Sequence, residues 1–232
     1  LLVSPGMDLQ DKKIMPKDVA FVLDTSGSMA GKKLEQAKQA LQFCVENLNS
    51  GDRFEIIRFS TEVEPLFDKL VTANDANRDQ ANEFIKELKP IGGTAIDEAL
   101  RKALATRPDR DDGRPFVVIF LTDGRPTIGT TDEEQIVAGV KRANEGRTRV
   151  FCFGIGHDVN THMLDKITEE TRAVSQYVLP EEDIEVKVSS FFSKIKEPVL
   201  ASPRIVFPDS VRITKLYPSP VPDIFKGEQL VL

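Results

Sequence analysis

Five oxygen-bearing residues stand out by type and by place. Asp24, Ser26 and Ser28 alternate in Asp24-Thr25-Ser26-Gly27-Ser28, directly after an apolar run. Thr94 follows Gly92-Gly93, and Asp123 lies in Thr122-Asp123-Gly124, directly after a second apolar run. Alternate positions of one short loop can turn inward together, with Gly27 allowing the tight bend. The set offers oxygen alone, without sulfur or imidazole, which suits a hard cation: Mg²⁺, or Mn²⁺ or Ca²⁺. Two carboxylates only just balance a divalent charge, and three hydroxyls add none. An octahedral ion held this way keeps an open or watered position that an acidic side chain of a partner can fill.

The same residues admit other chemistries. Asp24, Ser26, Ser28 and Glu35 fall on positions 1, 3, 5 and 12 of an EF-hand loop, but Met29 stands where that loop needs Gly. Gly27 to Lys32 resembles a phosphate loop, yet it is one residue short between its glycines, and Lys33 follows where a Ser or Thr is needed. That reading leaves Lys32 and Lys33 as surface charges in the first turn of a helix. Asp24 beside Mg²⁺ suggests a phosphotransferase or phosphatase nucleophile. Such a site wants a second carboxylate two residues on, and Ser26 is there instead. His157 and His162 have no identifiable nucleophile partner, so no catalytic residue is assigned. A metal that only locks loops inside a larger assembly is a further possibility.

Elements that bring the five residues together can be read from the hydrophobic pattern. Val19 to Leu23, Phe116 to Leu121 and Val150 to Ile155 read as strands buried on both faces. Arg53 to Phe59 alternates polar and apolar, which predicts one partly open face. Glu62 to Phe67 reads as an edge strand, because Pro65 cannot donate to a ladder. Val174 to Leu179 is the sixth strand. Helical stripes run through Leu34 to Leu48, Ala81 to Leu88, Ile96 to Leu104, Ile136 to Val140, Leu164 to Ile167 and Ile184 to Ile195. Thr131 and Glu134 fit a capping box, and Asn160 can cap the next helix.

This order predicts an α/β fold: a Rossmann-like, doubly wound, mostly parallel six-stranded sheet with one antiparallel edge strand. Open sheets of this kind bind ligands beyond the carboxyl ends of their strands. Asp24, Thr94 and Asp123 all belong to loops at that edge. Gly93, Arg125 and His157 border it and are candidates for contacting a ligand.

The ends break the pattern. Six of the 14 prolines fall within residues 198–232, and no helical period survives there. Leu1 to Val3, Ile205 to Phe207, Val211 to Ile213 and Leu230-Val231 read as short strands. The expected organisation is therefore 1–15, a segment of a flanking β module; 16–197, the α/β domain; and 198–232, a further β-rich segment. The chain starts at Leu1 rather than Met and shows no signal peptide, so it reads as an excerpt of something longer.

The loop Asp24 to Ser28, with Thr94 and Asp123 downstream, resembles the metal-ion-dependent adhesion site of von Willebrand factor A domains. The resemblance covers about residues 16–197. It implies that Ser26, Ser28 and Thr94 ligate the metal directly, that Asp24 and Asp123 act through water, and that a ligand's Glu or Asp completes the shell. By analogy with some relatives, the last helix, about Glu182 to Glu197, could shift with the state of the site. Val22 to Met29, Gly51 to Phe54 and Leu179-Pro180-Glu181 further resemble the A domain of inter-alpha-trypsin inhibitor heavy-chain-like proteins, bacterial ones especially. That family places β structure on both sides of the A domain. It also implies a secreted or cell-envelope location and a protein or matrix partner.

Composition removes several classes. A net charge of -6 and a pI near 5.2 argue against non-specific nucleic-acid binding, which needs a positive field. No apolar run reaches the roughly 20 residues of a membrane span. Cys44 and Cys152 lie in apolar patterns and read as buried free thiols.

Overall fold

A computed structural model describes residues 2–3, 15–109, 113–145, 147–195, 198–200, 214, 224–225 and 230–231. Two compact units divide the chain. One is Pro16–Ser190; the other joins Leu1–Met15 to Phe191–Leu232.

In chain order the strands are β1 (Leu2–Val3), β2 (Asp18–Asp24), β3 (Arg53–Phe59), β4 (Val63–Pro65), β5 (Val71–Thr72), β6 (Phe116–Thr122), β7 (Thr148–Ile155), β8 (Ser175–Val178), β9 (Pro198–Leu200), β10 (Ile224–Phe225) and β11 (Leu230–Val231). The helices are α1 (Lys32–Glu46), α2 (Asp75–Glu87), α3 (Ile96–Ala105), α4 (Glu133–Asn144), α5 (Thr161–Glu170) and α6 (Ile184–Ile195).

The continuous apolar runs become the centre of the sheet. Strands β2, β6 and β7 are buried at every residue. The sheet runs β4-β3-β2-β6-β7-β8, parallel except for β4, which lies antiparallel at the edge. Side chains alternate across it. Ala20, Val22, Ile57, Phe59, Val118, Phe120, Val150 and Cys152 share one core with Ile96, Leu100 and Val140 of the helices. Within that core, Phe59 and Phe120 stack with centroids 5.3 Å apart.

Strand order locates the ligand edge. From β2 the chain passes through α1 to β3 on one side, and the strands after β6 continue on the other. The winding direction therefore reverses between β2 and β6, which pair with Leu23 beside Leu121. A crevice opens at such a switch point, beyond the carboxyl ends of the strands.

The structure departs from the pattern-based reading at several points. The edge strand is only Val63–Pro65, and Val71–Thr72 adds a seventh, antiparallel strand against β3. Two residues are too short for periodicity to reveal. Strand β3 is partly open only at Arg53 and Arg58, because its third polar residue, Glu55, is fully buried and accepts from the backbone N–H groups of Ile56, Phe67 and Lys69. Helix α4 is capped by Asp132, whose carboxylate accepts from Gln135 N, and not by Thr131. Asn160 does cap α5, through Met163 N. Both cysteines are buried and free. Burial pushes each thiol's pKa up.

In the second unit, β1 pairs antiparallel with β11, and β9 with β10. The strands expected at Ile205–Phe207 and Val211–Ile213 lie outside the described residues.

Candidate metal centre

Five loop residues meet at the carboxyl edge because three backbone segments are tied together there. Thr25 N and its hydroxyl donate to Phe59 O, at 2.7 and 3.1 Å. Ile91 N donates to Thr25 O at 2.8 Å, and Gly27 N donates to Gly92 O at 3.1 Å. The Asp24–Ser28 loop is thereby fastened to the loop preceding α3. Gly92 has φ +71°, and a Cβ there would stand 2.4 Å from the Thr61 hydroxyl, so the crossing needs glycine. Thr94 is held through Thr127, whose hydroxyl accepts from Thr94 N at 2.9 Å and whose N donates to Thr94 O at 3.0 Å.

Within this frame the side chains form a chain of contacts. Asp24 Oδ1 accepts from Ser26 N at 2.8 Å, and its Oδ2 accepts from the Thr122 hydroxyl at 2.6 Å. The Ser26 and Ser28 hydroxyl oxygens are 3.1 Å apart. Ser28 Oγ donates to Asp123 Oδ1 at 2.7 Å. Thr94 closes the other side: a Cβ at Gly124 would lie 3.8 Å from Thr94 Oγ1 and 3.9 Å from Ser28 Oγ. Asp24, Ser26, Thr94 and Asp123 are buried, while Ser28 is exposed.

The electrostatics favour a cation. Burial pushes Asp24 up to about 6, although hydrogen bonds from Thr122 and Ser26 hold it down; the Asp123 charge adds to the rise. Two acids facing one crevice gain from any positive charge between them. Among the described residues no cluster of three or more His, Cys, Asp or Glu is placed to hold a metal. The other oxygens that face this crevice are the hydroxyls of Ser26, Ser28 and Thr94. That donor set, with a bare Gly124 beside two hydroxyls, fits a hard divalent ion.

Lys33 corrects an expectation. It is not a bystander on the surface of α1. Its Nζ donates to Asp123 Oδ2 at 2.6 Å and to Ser28 O at 3.3 Å. Sequence spacing hides this contact, because the two charges lie 90 positions apart. Thr122, as the donor to Asp24, is the second residue that pattern reading overlooked. It ends β6 on the same edge, which is the signal that could have found it.

The rim candidates spread out. Gly93 N donates to the Thr61 hydroxyl at 2.9 Å, and a Cβ at Gly93 would meet Thr127 and Ile128 at 2.8 Å. Arg125 is exposed, and its charge helps hold Glu133 below the usual carboxylate range, behind the larger effects of His162 and Asn160. His157 is exposed just past Gly156. His162 pairs with Glu133 at 3.0 Å. Asp24 is a poor nucleophile here, being fully buried with both oxygens engaged.

A mostly parallel, doubly wound sheet with an oxygen-donor crevice at its switch point defines an open α/β domain whose ligand edge lies at that crevice. The family model for the von Willebrand factor type A domain matches residues 17–177, and the chain belongs to that family, which is associated with adhesion and protein binding. It is 31% identical over 224 residues to human inter-alpha-trypsin inhibitor heavy chain H4, covering 94% of this chain and 24% of that protein. The chain thus spans about a quarter of the length of that relative. Among solved structures it resembles a von Willebrand factor type A protein from Catenulispora acidiphila, with TM-score 0.69, 22% identity, and coverage of 81% of this chain and 44% of that one. It also resembles proximal thread matrix protein 1 of the mussel byssus, solved with a zinc-occupied adhesion-site motif, with TM-score 0.61, 21% identity, and coverage of 79% and 45%. No helix among the described residues is long and apolar enough to cross a membrane.

Proposed function

We propose that this chain is a divalent-cation-dependent protein-binding module whose metal captures an acidic residue of a protein or matrix partner. The observation that carries the reading is the convergence of Asp24, Ser26, Ser28, Thr94 and Asp123 from three loops on one crevice. Mg²⁺ is the preferred ion, with Mn²⁺ or Ca²⁺ as substitutes; the zinc of the mussel protein supports a divalent site in this fold. Ser26, Ser28 and Thr94 would hold the ion, and Asp24 and Asp123 would orient its shell. Once bound, the ion supplies a local positive charge with a position left for a carboxylate. That reversal of sign is what lets a domain of net charge -6 attract an acid.

Residues 16–197 carry the function, flanked by segments 1–15 and 198–232 of a β module. A secreted or cell-envelope location suits such a module, and the heavy-chain relatives support it. The test is a paired pull-down with Mg²⁺ and with chelator, alongside calorimetry of Mg²⁺ into stripped protein. Metal-dependent capture and measurable heat are expected. Capture that ignores the chelator, or a silent titration, would sink the reading.

A further inference from the structure

The Lys33 ammonium lies on the candidate ligands themselves. Asp123 has one oxygen on the Ser28 hydroxyl, at 2.7 Å, and the other on Lys33 Nζ, at 2.6 Å. The same ammonium reaches Ser28 O at 3.3 Å. A cation drawing on Ser28 and Asp123 therefore meets a positive charge already bound to the same carboxylate. The Asp123 side chain is fully buried, whereas that of Lys33 is 38% exposed on a flexible stem, so the lysine can withdraw and the aspartate cannot. Gly156, at φ +90°, keeps the flank bare: a Cβ there would stand 3.6 Å from Nζ.

We propose that Lys33 is a built-in competitor of the metal, an internal counter-ion that sets the cation concentration at which the site loads. This deepens the reading above and rests on it. Without metal, two acids face one ammonium and the crevice carries about one negative charge. With a divalent ion and Lys33 both present, the balance becomes about one positive charge, which favours an incoming carboxylate. Lys33 thus weakens the first event and strengthens the second.

The experiment titrates Mn²⁺ into the chelator-stripped 232-residue chain by calorimetry, comparing wild type with Lys33→Met, Lys33→Arg and Lys32→Met. Lys33→Met keeps the stem and removes the charge, and its Kd for Mn²⁺ is expected to fall about tenfold, equivalent to 1.4 kcal/mol. Lys33→Arg keeps the charge and should stay within about threefold of wild type. Lys32→Met removes an equal charge from a neighbouring exposed residue and should stay within about twofold, because exposed charges are screened. Circular dichroism of each variant checks the fold. Unchanged or weaker Mn²⁺ binding by Lys33→Met would mean that Lys33 only holds Asp123 in place, and would overturn the inference. So would a tenfold gain in Lys33→Arg. If wild type binds Mn²⁺ and Lys33→Met binds no better, only this inference falls; if no variant takes up Mn²⁺, the metal reading falls with it.

Discussion

Strand β2 carries an acid at each end, and the two ends are treated in opposite ways. At its start, Asp18 receives Arg53 at 2.8 and 2.6 Å, with Arg114 3.9 Å away. Beside it, Lys17 Nζ lies 2.5 Å from Asp52, with both side chains buried. Three cations answer two acids there. At its far end, Asp24 and Asp123 share a crevice with one ammonium, Lys33. One end is closed by charge and the other is left short of it. A sheet edge that neutralises its own acids has no use for an outside ion; one that leaves a deficit is prepared for one.

The largest effect should come from breaking the closed end. Asp52 accepts from Lys17 Nζ, from Lys17 N at 3.0 Å and from Asn49 N at 2.8 Å. Asp52→Ala leaves a buried ammonium without its carboxylate, at a cost of about 3–5 kcal/mol. Urea denaturation should show that loss with and without Mg²⁺ alike. Adding Lys17→Met should recover part of it, because the buried ammonium that Asp52 answers is then removed as well. A loss that Mg²⁺ repairs would mean the two ends are not separate in function.

The open end should respond the other way. Asp123→Ala changes a loop residue at the sheet edge and should leave the circular dichroism spectrum intact. What it should abolish is the stabilisation by metal, about 2.7 kcal/mol when Mg²⁺ is at 100 times its Kd. Thermal melts of wild type and variant, each with Mg²⁺ and with chelator, measure it. An Asp123→Ala protein that still gains from Mg²⁺ places the metal elsewhere.

Thr122→Val probes the same end more finely. It keeps the shape of a fully buried residue and removes the 2.6 Å donor to Asp24. A hydrogen bond to a charged group contributes about 1.5–3 kcal/mol, so a loss near 2 kcal/mol is expected in chelator at neutral pH. A loss of about 1 kcal/mol, the size of a neutral hydrogen bond, would show that Asp24 is protonated there.

Much of this contrast was legible beforehand, and the remainder was not, for a physical reason. Apolar runs announce central strands, and the residues just past a strand's carboxyl end lie on the ligand edge; Asp24 and Asp123 could be placed by that rule alone, whereas Thr94 lies between α2 and α3 and is marked only by Gly92-Gly93 at the opening of a helix. Charge pairing obeys no such rule. Lys33 finds Asp123 across 90 positions, and Lys17 finds Asp52 across 35. Each pair depends on which strands become neighbours and on how a long side chain leans. The same limit applies to Glu55, whose polar type in an alternating strand reads as exposed.

Glu55 supplies the smallest expected effect, and it tests the middle of the sheet rather than either end. Its Oε1 accepts from Ile56 N at 2.7 Å and Phe67 N at 3.0 Å, and its Oε2 accepts from Lys69 N at 2.9 Å. Phe67 in turn packs edge-on against Phe54, with ring centroids 5.7 Å apart. The carboxyl thus stands in for a ladder partner where the chain turns between β4 and β5. Burial raises its pKa above the ordinary value, against these backbone donors. A raised acid stabilises the fold fully below its unfolded pKa of about 4.3, and that contribution is lost as pH rises through the native value. Glu55→Gln should therefore cost about 0.5–1 kcal/mol near the acid limit, because the amide cannot accept from Lys69 N. The gap to wild type should narrow as pH rises, because only wild type carries the titrating group. Denaturation midpoints across that range decide it: a gap that widens with pH would mean Glu55 is stabilised as the anion, and that the middle of this sheet tolerates charge as well as its closed end does.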